Sequence, residues 1–466
     1  MVSYRSAVRL RSCTLMNEDL LSLTSDIVDK ARRLGADEAD AFVISSTESS
    51  VRVRMGEVER VVDAGSHAAS VRVIKEKRTA ICSTADLTPK AIEELVASAI
   101  ELAQISEPDE FAGLPDRADL ALGEQPNLQL YDERIESLSP DEMKDVAFRC
   151  EQAAFDYDKR VTNTDGAEMG VVRGQIALAN SLGFAGMYPS TSAMLVMEAI
   201  CDDDEGKKRN AYWYTLERAQ HRLEAAEEVG RKAAARAVAK LGARKIETKP
   251  MPVVWEAPVA RALLQLVGQA VSGELLYRRS TFLAELEGQQ VASPLFTLTD
   301  DPLIPGQIGS RPFDGEGVRS RSVPVFEAGV FRNFLFDSYN ARRLKRATTG
   351  AADRSLSAPP APGTSNFVLV AGDKSPEELC AGIDDGLLVT DTMGFGVNMT
   401  TGDFSRGAQG FRIEKGQVTY PVTEVNISGN LKDMLASIDA LGNDQFWLGS
   451  VAAPSLRMTE MMVSGL

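Results

Sequence analysis

The segment VVWEAPVARALLQLVGQAV (residues 253–271) decides the architecture of the second half of the chain. Val253-Val254-Trp255 is typical of a short buried strand, and apolar residues recur at helical spacing from about Pro258 to Val271. Short strand-like runs separated by Asp, Gly and Pro follow, at Val323–Phe326, Val330–Phe336, Phe367–Val370, Gly410–Glu414 and Val422–Ser428. Residues 247–466 are therefore predicted to form a mainly β domain that contains this one helix and a curved, barrel-like sheet.

Working outward, residues 16–246 predict an N-terminal α/β domain. Ser139-Pro140-Asp141-Glu142 is a capping box with proline at the first helical position, and Thr88-Pro89 opens another helix. Alternating apolar residues, for example Val51 and Val53, indicate antiparallel strands, and the region from Val161 to Tyr214 predicts more of them. The expected fold class is α+β: an antiparallel sheet with flanking helices, followed by the β domain.

Three further expectations concern segments of this first half. An alanine-rich helix is predicted from about Leu216 to Leu241, with His221 on its charged face. Lys245–Pro252 is predicted to connect the two domains, because it contains two prolines. Residues 1–15 carry three arginines and no acid, so we interpret them as a disordered or mis-started extension before Met16.

The composition excludes several classes of protein. The chain has 67 acidic and 51 basic residues, a net charge of −16, which disfavours nucleic-acid binding. It lacks an apolar run long enough to cross a membrane. Its five scattered cysteines form no C-x-x-C pair, so we expect a reduced, cytoplasmic protein. The two histidines, His67 and His221, cannot build a three-histidine metal site and are interpreted as surface or hydrogen-bonding residues.

Common catalytic motifs are absent, and polar, glycine-spaced clusters remain in the second half. In Phe313-Asp314-Gly315-Glu316-Gly317 two carboxylates stand two residues apart. In a catalytic role the two carboxylates would share a proton or bind a cation. In a tight turn they would accept hydrogen bonds from backbone amides, and this turn interpretation is favoured. Thr401–Gly407 and Ile427–Leu431 combine turn glycines with polar side chains. Such loops serve equally as turns or as contacts for an extended ligand.

Together and in order, these clusters resemble the TldD/PmbA family of two-subunit metallopeptidases, specifically its PmbA (TldE) branch; the family is also described as modulators of DNA gyrase. The matching stretches cover nearly the whole chain after Met16. They are Asn180–Phe184, Leu276–Phe282, Phe313–Val318, Ser338–Leu344, Gly402–Gly407, Ser428–Met434 and Gly442–Asp444. The resemblance implies an N-terminal α/β domain and a largely β C-terminal domain.

The resemblance also implies where zinc would bind. Catalytic TldD-type subunits carry H-E-x-x-x-H on a helix and a later cysteine ligand. Aligned through Val267-Gly268, this chain has Leu264 and Gln269 at the histidine positions and Gln265 at the glutamate position, and it has Leu448 at the cysteine position. Leucine has no donor atom, and an amide does not accept a proton at neutral pH. The resemblance thus predicts a chain with no catalytic or metal-binding residues of its own and no cofactor, with zinc only in a partner.

The leading hypothesis is a non-catalytic PmbA/TldE-like subunit. It would pair with a TldD-like catalytic subunit and close a chamber in which unfolded peptides are cut, for maturation or turnover. Asp314, Glu316, Arg406 and Asn430 are the candidate substrate- or partner-binding residues. One alternative is a homo-oligomeric, non-enzymatic peptide-binding protein, and we also expect a homodimer when the chain is isolated. Another is a metal-independent hydrolase that uses Asp314 and Glu316.

Overall fold

The computed structural model describes residues 17–394 and 396–465, so the expectation for residues 1–15 lies outside the described residues. The fold class is α+β, as predicted. The helices are α1 Asn17–Arg33, α2 Pro89–Ile105, α3 Glu133–Glu136, α4 Pro140–Tyr157, α5 Ala226–Ala239, α6 Ala257–Ala270, α7 Gly273–Tyr277, α8 Ser338–Arg343, α9 Pro376–Cys380 and α10 Leu431–Ala436.

One antiparallel sheet organises the first half. Its strands are β1 Glu38–Arg54, β2 Glu57–Lys75, β3 Arg78–Thr84, β4 Val161–Asn180, β5 Ala185–Asp202 and β6 Lys208–Glu217, in the spatial order β3-β2-β1-β4-β5-β6. Helices α1 and α2 pack on one part of this sheet, and α4 and α5 pack on another. The predicted caps are present: the Thr88 side chain accepts a bond from the backbone N–H of Ala91, and Ser139 and Glu142 form the capping box.

The second half combines a closed barrel with a second sheet. Its strands are β7 Lys249–Trp255, β8 Leu298–Asp300, β9 Val323–Glu327, β10 Val330–Phe331, β11 Ala352–Asp353, β12 Ala361–Pro362, β13 Phe367–Leu369, β14 Asp385–Met393, β15 Asp403–Glu414, β16 Gln417–Asn430, β17 Ile438–Leu441, β18 Phe446–Leu448, β19 Val451–Ala453 and β20 Leu456–Ser464. Strands β16-β15-β14-β7-β20 close into a barrel because β16 also pairs with β20. The second sheet has the order β10-β9-β8-β13-β19-β18. Helix α6 shares one core with both.

The alanine-rich helix is shorter than predicted. Residues up to Glu217 belong to β6, since Glu217 pairs with Ala193 of β5, and α5 begins only at Ala226. His221 lies in a 3-10 turn (Gln220–Arg222) rather than on the helix face. Of the predicted helix, the β5–β6 ladder takes up only Leu216 and Glu217, where strand pairing overrides helix propensity. In the loop that follows, the Gln220 N–H donates to the Asp132 Oδ2 and the Glu224 N–H donates to the Thr215 Oγ1.

The predicted connection Lys245–Pro252 is partly wrong, because its last residues belong to β7. Pro250 pairs with Met462 of β20, whereas pairing with β14 begins only at Val253. The two prolines therefore precede the part of β7 that has neighbours on both sides. Proline lacks a backbone N–H, so it is tolerated where one side of a strand needs no ladder bond.

Candidate substrate and partner site

Helix α6 presents one side to the core and another to an open cleft. Leu264 is fully buried, whereas Gln265 and Gln269 are exposed. These residues line a cleft of about 570 Å³, with Thr364 and Ser450 also in its wall. A Cβ at Gly268 would lie 3.1 Å from the Thr364 Cγ2, so glycine allows the helix to approach this wall closely. The three α6 positions that the resemblance aligns with the zinc motif thus border an accessible cleft.

Leu448 lies beside the same helix but at its other end. It closes β18, and a turn at Gly449 (φ +60°) and Ser450 leads into β19. Leu448 lines a second cavity, of about 480 Å³, together with the α6 residues Val259 and Arg261. The two cavities therefore border successive parts of α6. Leu448, before Gly449, lines the cavity at the first of these parts, and Ser450, after Gly449, lines the cleft at the second.

The residues at these positions do not fit a zinc ion. The Leu264 and Leu448 side chains are hydrocarbon, and Gln265 and Gln269 are neutral amides, so the set lacks the imidazole, thiolate and carboxylate donors that zinc prefers. Within residues 17–394 and 396–465, no three His, Cys, Asp or Glu side chains cluster in a way that could hold a metal ion. No chemical step of a zinc enzyme can therefore be assigned to these residues.

A serine hydroxyl fixes the start of α6. The backbone N–H of Ala257 donates to the Ser455 Oγ at 2.9 Å. Ser455 in turn donates through its hydroxyl to the Asp444 Oδ2 (2.6 Å) and through its N–H to the Asp444 Oδ1 (2.9 Å). The sequence stretch Gly442–Asp444 thus serves to hold the helix that borders both cavities, a role that spacing alone did not reveal.

Asp314 and Glu316 lie in a buried turn, each about 2% exposed. The Asp314 Oδ1 accepts bonds from the N–H groups of Glu316 and Val318, both 2.9 Å, and its Oδ2 accepts one from Ala352 at 3.0 Å. The Glu316 Oε2 accepts the N–H of Ser338 at 2.8 Å. Burial, and then the nearby Glu316 carboxylate, raise the pKa of Asp314. This geometry supports the turn interpretation over a catalytic pair; a role in binding stays a prediction.

A buried ionic network, which sequence reasoning missed, joins the two halves at this turn. The Asp40 Oδ2 of β1 accepts a bond from the Arg72 Nε of β2 at 2.7 Å. The Asp40 Oδ1 accepts one from the Arg354 Nη2 at 2.6 Å, and Arg72 also lies 3.5 Å from the Glu316 Oε1. Burial acts to raise the pKa of Asp40, but the charges of Arg354 and Arg72 outweigh it and lower that pKa. In the sequence these residues resemble ordinary surface charges.

Arg406 and Asn430 belong to a different region, at the β15–β16 ladder of the barrel. Asn430 caps α10: its Oδ1 accepts the N–H of Lys432 at 3.1 Å, and its Nδ2 donates to the carbonyl of Thr401 at 2.9 Å. The Arg406 guanidinium lies 5.7 Å from the ring centre of Phe404, and burial lowers its pKa. The four candidate residues therefore do not form one cluster: Asp314 and Glu316 lie at the junction of the two halves, whereas Arg406 and Asn430 lie on the barrel.

The two histidines stand outside both cavities. The His67 Nδ1 of β2 is 2.9 Å from the Ser45 Oγ of β1, which confirms a hydrogen-bonding role. His221 is exposed in its 3-10 turn. Among the described residues, no helix is long and apolar enough to cross a membrane.

Comparison with known families matches the chain in three consecutive parts. Residues 39–103 match PmbA/TldA metallopeptidase domain 1, residues 133–241 match the central domain, and residues 248–465 match the C-terminal domain of the same family. The three matched domains are those of a metallopeptidase family. The chain belongs to the PmbA/TldD family.

Individual relatives agree with this assignment. The metalloprotease PmbA of Escherichia coli O157:H7 is 36% identical over 430 residues, which are 92% of this chain and 93% of that protein. A TldD homologue of Haemophilus influenzae matches less of the chain, with 29% identity over 232 residues, 46% of this chain and 48% of that protein. A Bacteroides thetaiotaomicron crystal structure, whose name refers to a modulator of DNA gyrase, superposes with a TM-score of 0.90 at 30% identity and covers 97% of this chain and 100% of its own.

Proposed function

We propose that this chain is the non-catalytic, PmbA/TldE-like subunit of a two-subunit zinc metallopeptidase that cuts unfolded peptides. The proposal is supported by the match of residues 39–103, 133–241 and 248–465 to the family's three domains. It also rests on the family resemblance, which aligns Leu264, Gln265, Gln269 and Leu448 with the zinc-site positions of a catalytic subunit. Zinc and the water that it activates would come from a TldD-like partner.

In this assembly the chain shapes the substrate chamber. The α6 cleft offers neutral hydrogen-bonding groups from Gln265, Gln269 and Ser450, which suit the backbone of an extended peptide. Arg406 and Asn430 are proposed to contact the partner or the peptide. Asp314 and Glu316 would act indirectly, since they hold the junction of the two halves. The described cysteines, Cys82, Cys150, Cys201 and Cys380, are all free thiols, and this supports a cytoplasmic location.

The decisive experiment mixes this chain with a purified TldD-like subunit. We expect association by size-exclusion chromatography and cleavage of an unfolded, fluorogenic peptide that neither chain cleaves alone at a comparable rate. The control is a TldD-like subunit whose zinc-binding histidines are replaced by alanine, which should associate without cleavage. Equal cleavage by the isolated chain, or no association, would contradict the proposal.

A specific observation also favours the second candidate, a homo-oligomeric peptide-binding protein. Strand β3 pairs with Ala69–Lys75 of β2. Residues 57–68 of β2 pair with β1 on one side and, within residues 17–394 and 396–465, have no strand on the other side. An extended peptide can add to such an edge through main-chain bonds. Peptide binding by the chain alone, with no change in cleavage on mixing, would favour this candidate over the first.

A further inference from the structure

An arginine that has no hydrogen-bond or ion-pair partner among the described residues lines the 480 Å³ cavity. Arg261 projects from the first half of α6, and the opposite wall includes Tyr212 and Tyr214 of β6, the last strand of the N-terminal sheet. Trp213 and Phe446, whose ring centres are 5.3 Å apart, also line the cavity. The cavity therefore lies between the two halves of the chain, and its wall combines aromatic rings with the Arg261 guanidinium.

The other cations of this cavity are already paired. Arg236 donates two bonds of 2.7 Å to the Glu256 carboxylate, and the Lys240 Nζ lies 3.6 Å from the Asp391 Oδ2. Arg261, by contrast, makes no hydrogen bond or ion pair with any residue in 17–394 or 396–465, and its Nε is buried without an acceptor. A buried donor that has lost water and gained no acceptor costs free energy, so an anionic ligand would be favoured here.

The chemistry of the wall selects a carboxylate. Glu198 and Asp391 also line the cavity, so a doubly charged phosphate would meet two acids and, within the described part of the chain, a single unpaired cation. A carboxylate carries a single charge and matches the planar fork of a guanidinium. Burial raises the pKa of Tyr214, whose hydroxyl therefore stays a neutral donor near the site. The rings of Tyr212 and Tyr214 are stacked, with their centres 6.1 Å apart, and can cover the apolar part of the ligand.

The position on α6 relates this cavity to the neighbouring cleft. Arg261 stands four residues before Gln265, and Gln265 stands four before Gln269, so the three side chains follow one another along one side of the helix. The first lines the 480 Å³ cavity, and the other two line the 570 Å³ cleft. We propose, on the basis of the function proposed above, that Arg261 binds a carboxylate of an extended peptide lying along α6, principally its C-terminal carboxylate.

The test measures binding of an alanine-rich peptide that carries fluorescein at its amino terminus, in three forms. One has a free C-terminal carboxylate, one a C-terminal amide, and one a C-terminal amide with a single internal glutamate. Fluorescence polarisation is recorded with the chain alone and with its TldD-like partner. We expect the wild type to bind the free carboxylate about tenfold more tightly than the plain amide, because charge-assisted bonds are strong. Tight binding of the internal-glutamate form would identify a side-chain carboxylate as a second source.

Variants distinguish binding at Arg261 from a general effect of the protein's positive charges on peptide binding. Arg261→Gln should remove the preference, Arg261→Lys should keep part of it, and Arg160→Gln, which removes an exposed arginine, should keep all of it. Unchanged unfolding midpoints confirm that the variants fold. Equal binding of all three peptides, no binding in either sample, or a preference that survives Arg261→Gln would overturn the proposal. Cleavage is followed in the same samples: a carboxylate preference without cleavage on mixing contradicts the proposed function alone.

Discussion

The Nη2 of Arg354 lies 2.6 Å from the Oδ1 of Asp40, although the two residues are 314 positions apart in the chain. Both side chains are almost fully buried, at 2% and 3% exposure. Arg72 bonds the second oxygen of the same carboxylate and also approaches Glu316. The first strand of the N-terminal sheet is thereby joined to the turn of the second half that carries Asp314, so the relative position of the halves depends on buried charges.

Asp40→Asn should destabilise the chain strongly. It removes the carboxylate charge to which both Arg72 and Arg354 donate hydrogen bonds. Breaking a buried pair leaves an unpaired buried charge, at a cost of about 3–5 kcal/mol. Urea unfolding followed by circular dichroism measures the change. Arg160→Gln, which breaks an exposed pair with Asp158, should leave the midpoint nearly unchanged. A similar small effect for Asp40→Asn would show that the network contributes little.

Asp300→Asn should change how stability depends on pH. Asp300 is 2% exposed, and burial raises its pKa to about 6 despite the bond that its Oδ1 accepts from the Ser365 N–H. The folded chain then holds this proton more tightly than the unfolded chain. The protonated Asp300 carboxyl therefore adds to the free energy of unfolding. This stabilisation is fully present below about pH 4 and is lost as the pH rises through about 6.

The measurement compares wild type and variant by urea unfolding between about pH 4 and about pH 7.5. The asparagine keeps an oxygen for Ser365 but does not titrate, so the variant should gain stability relative to the wild type as the pH rises. Parallel curves for the two proteins would contradict the raised pKa.

Gly230→Ala should destabilise the packing of α5 on α4. A Cβ at Gly230 would lie 2.0 Å from the carbonyl oxygen of Cys150, so the helices must move apart, at a cost of about 1–3 kcal/mol or more. Gly65→Ala is the matched control, because a Cβ there meets nothing within 4 Å. Thermal unfolding of both variants checks this, and equal melting temperatures would contradict so close a helix contact.

Removal of zinc should affect the complex and not this chain. We expect a chelator to leave the melting temperature of the isolated chain within about 1 °C, because a ligand stabilises only a protein that binds it. The same treatment should abolish cleavage by the mixture with a TldD-like subunit, and added zinc should restore it. Stoichiometric zinc in the isolated chain, measured by atomic absorption, would contradict the assignment of Leu264 and Gln269 as degenerate positions.

Local patterns predicted much of the fold and only part of the site. The caps at Thr88 and Ser139 and the apolar helix that became α6 were recognisable because their signals lie within a few residues. Closure of the barrel was not recognisable from local patterns, since it depends on the pairing of Asn426–Ser428 with the distant Met462–Ser464. The predicted start of α5 was wrong for a similar reason, because long-range contacts decide it. Glu217 pairs with Ala193 in the β5–β6 ladder, and the Gln220 N–H after it donates to Asp132.

At the four positions that the family resemblance aligns with a zinc site, the sequence alone shows leucine and glutamine, which lack the donors that zinc prefers in any conformation. Only the tertiary structure shows which side of α6 is open and that Arg261 faces a cavity. It alone also shows that Arg72 and Arg354 are buried with Asp40. The sequence does not distinguish an arginine that is exposed to water from one that pairs with a carboxylate or lines a cavity. Its surroundings come from segments far along the chain, and burial gives the charge its energetic weight.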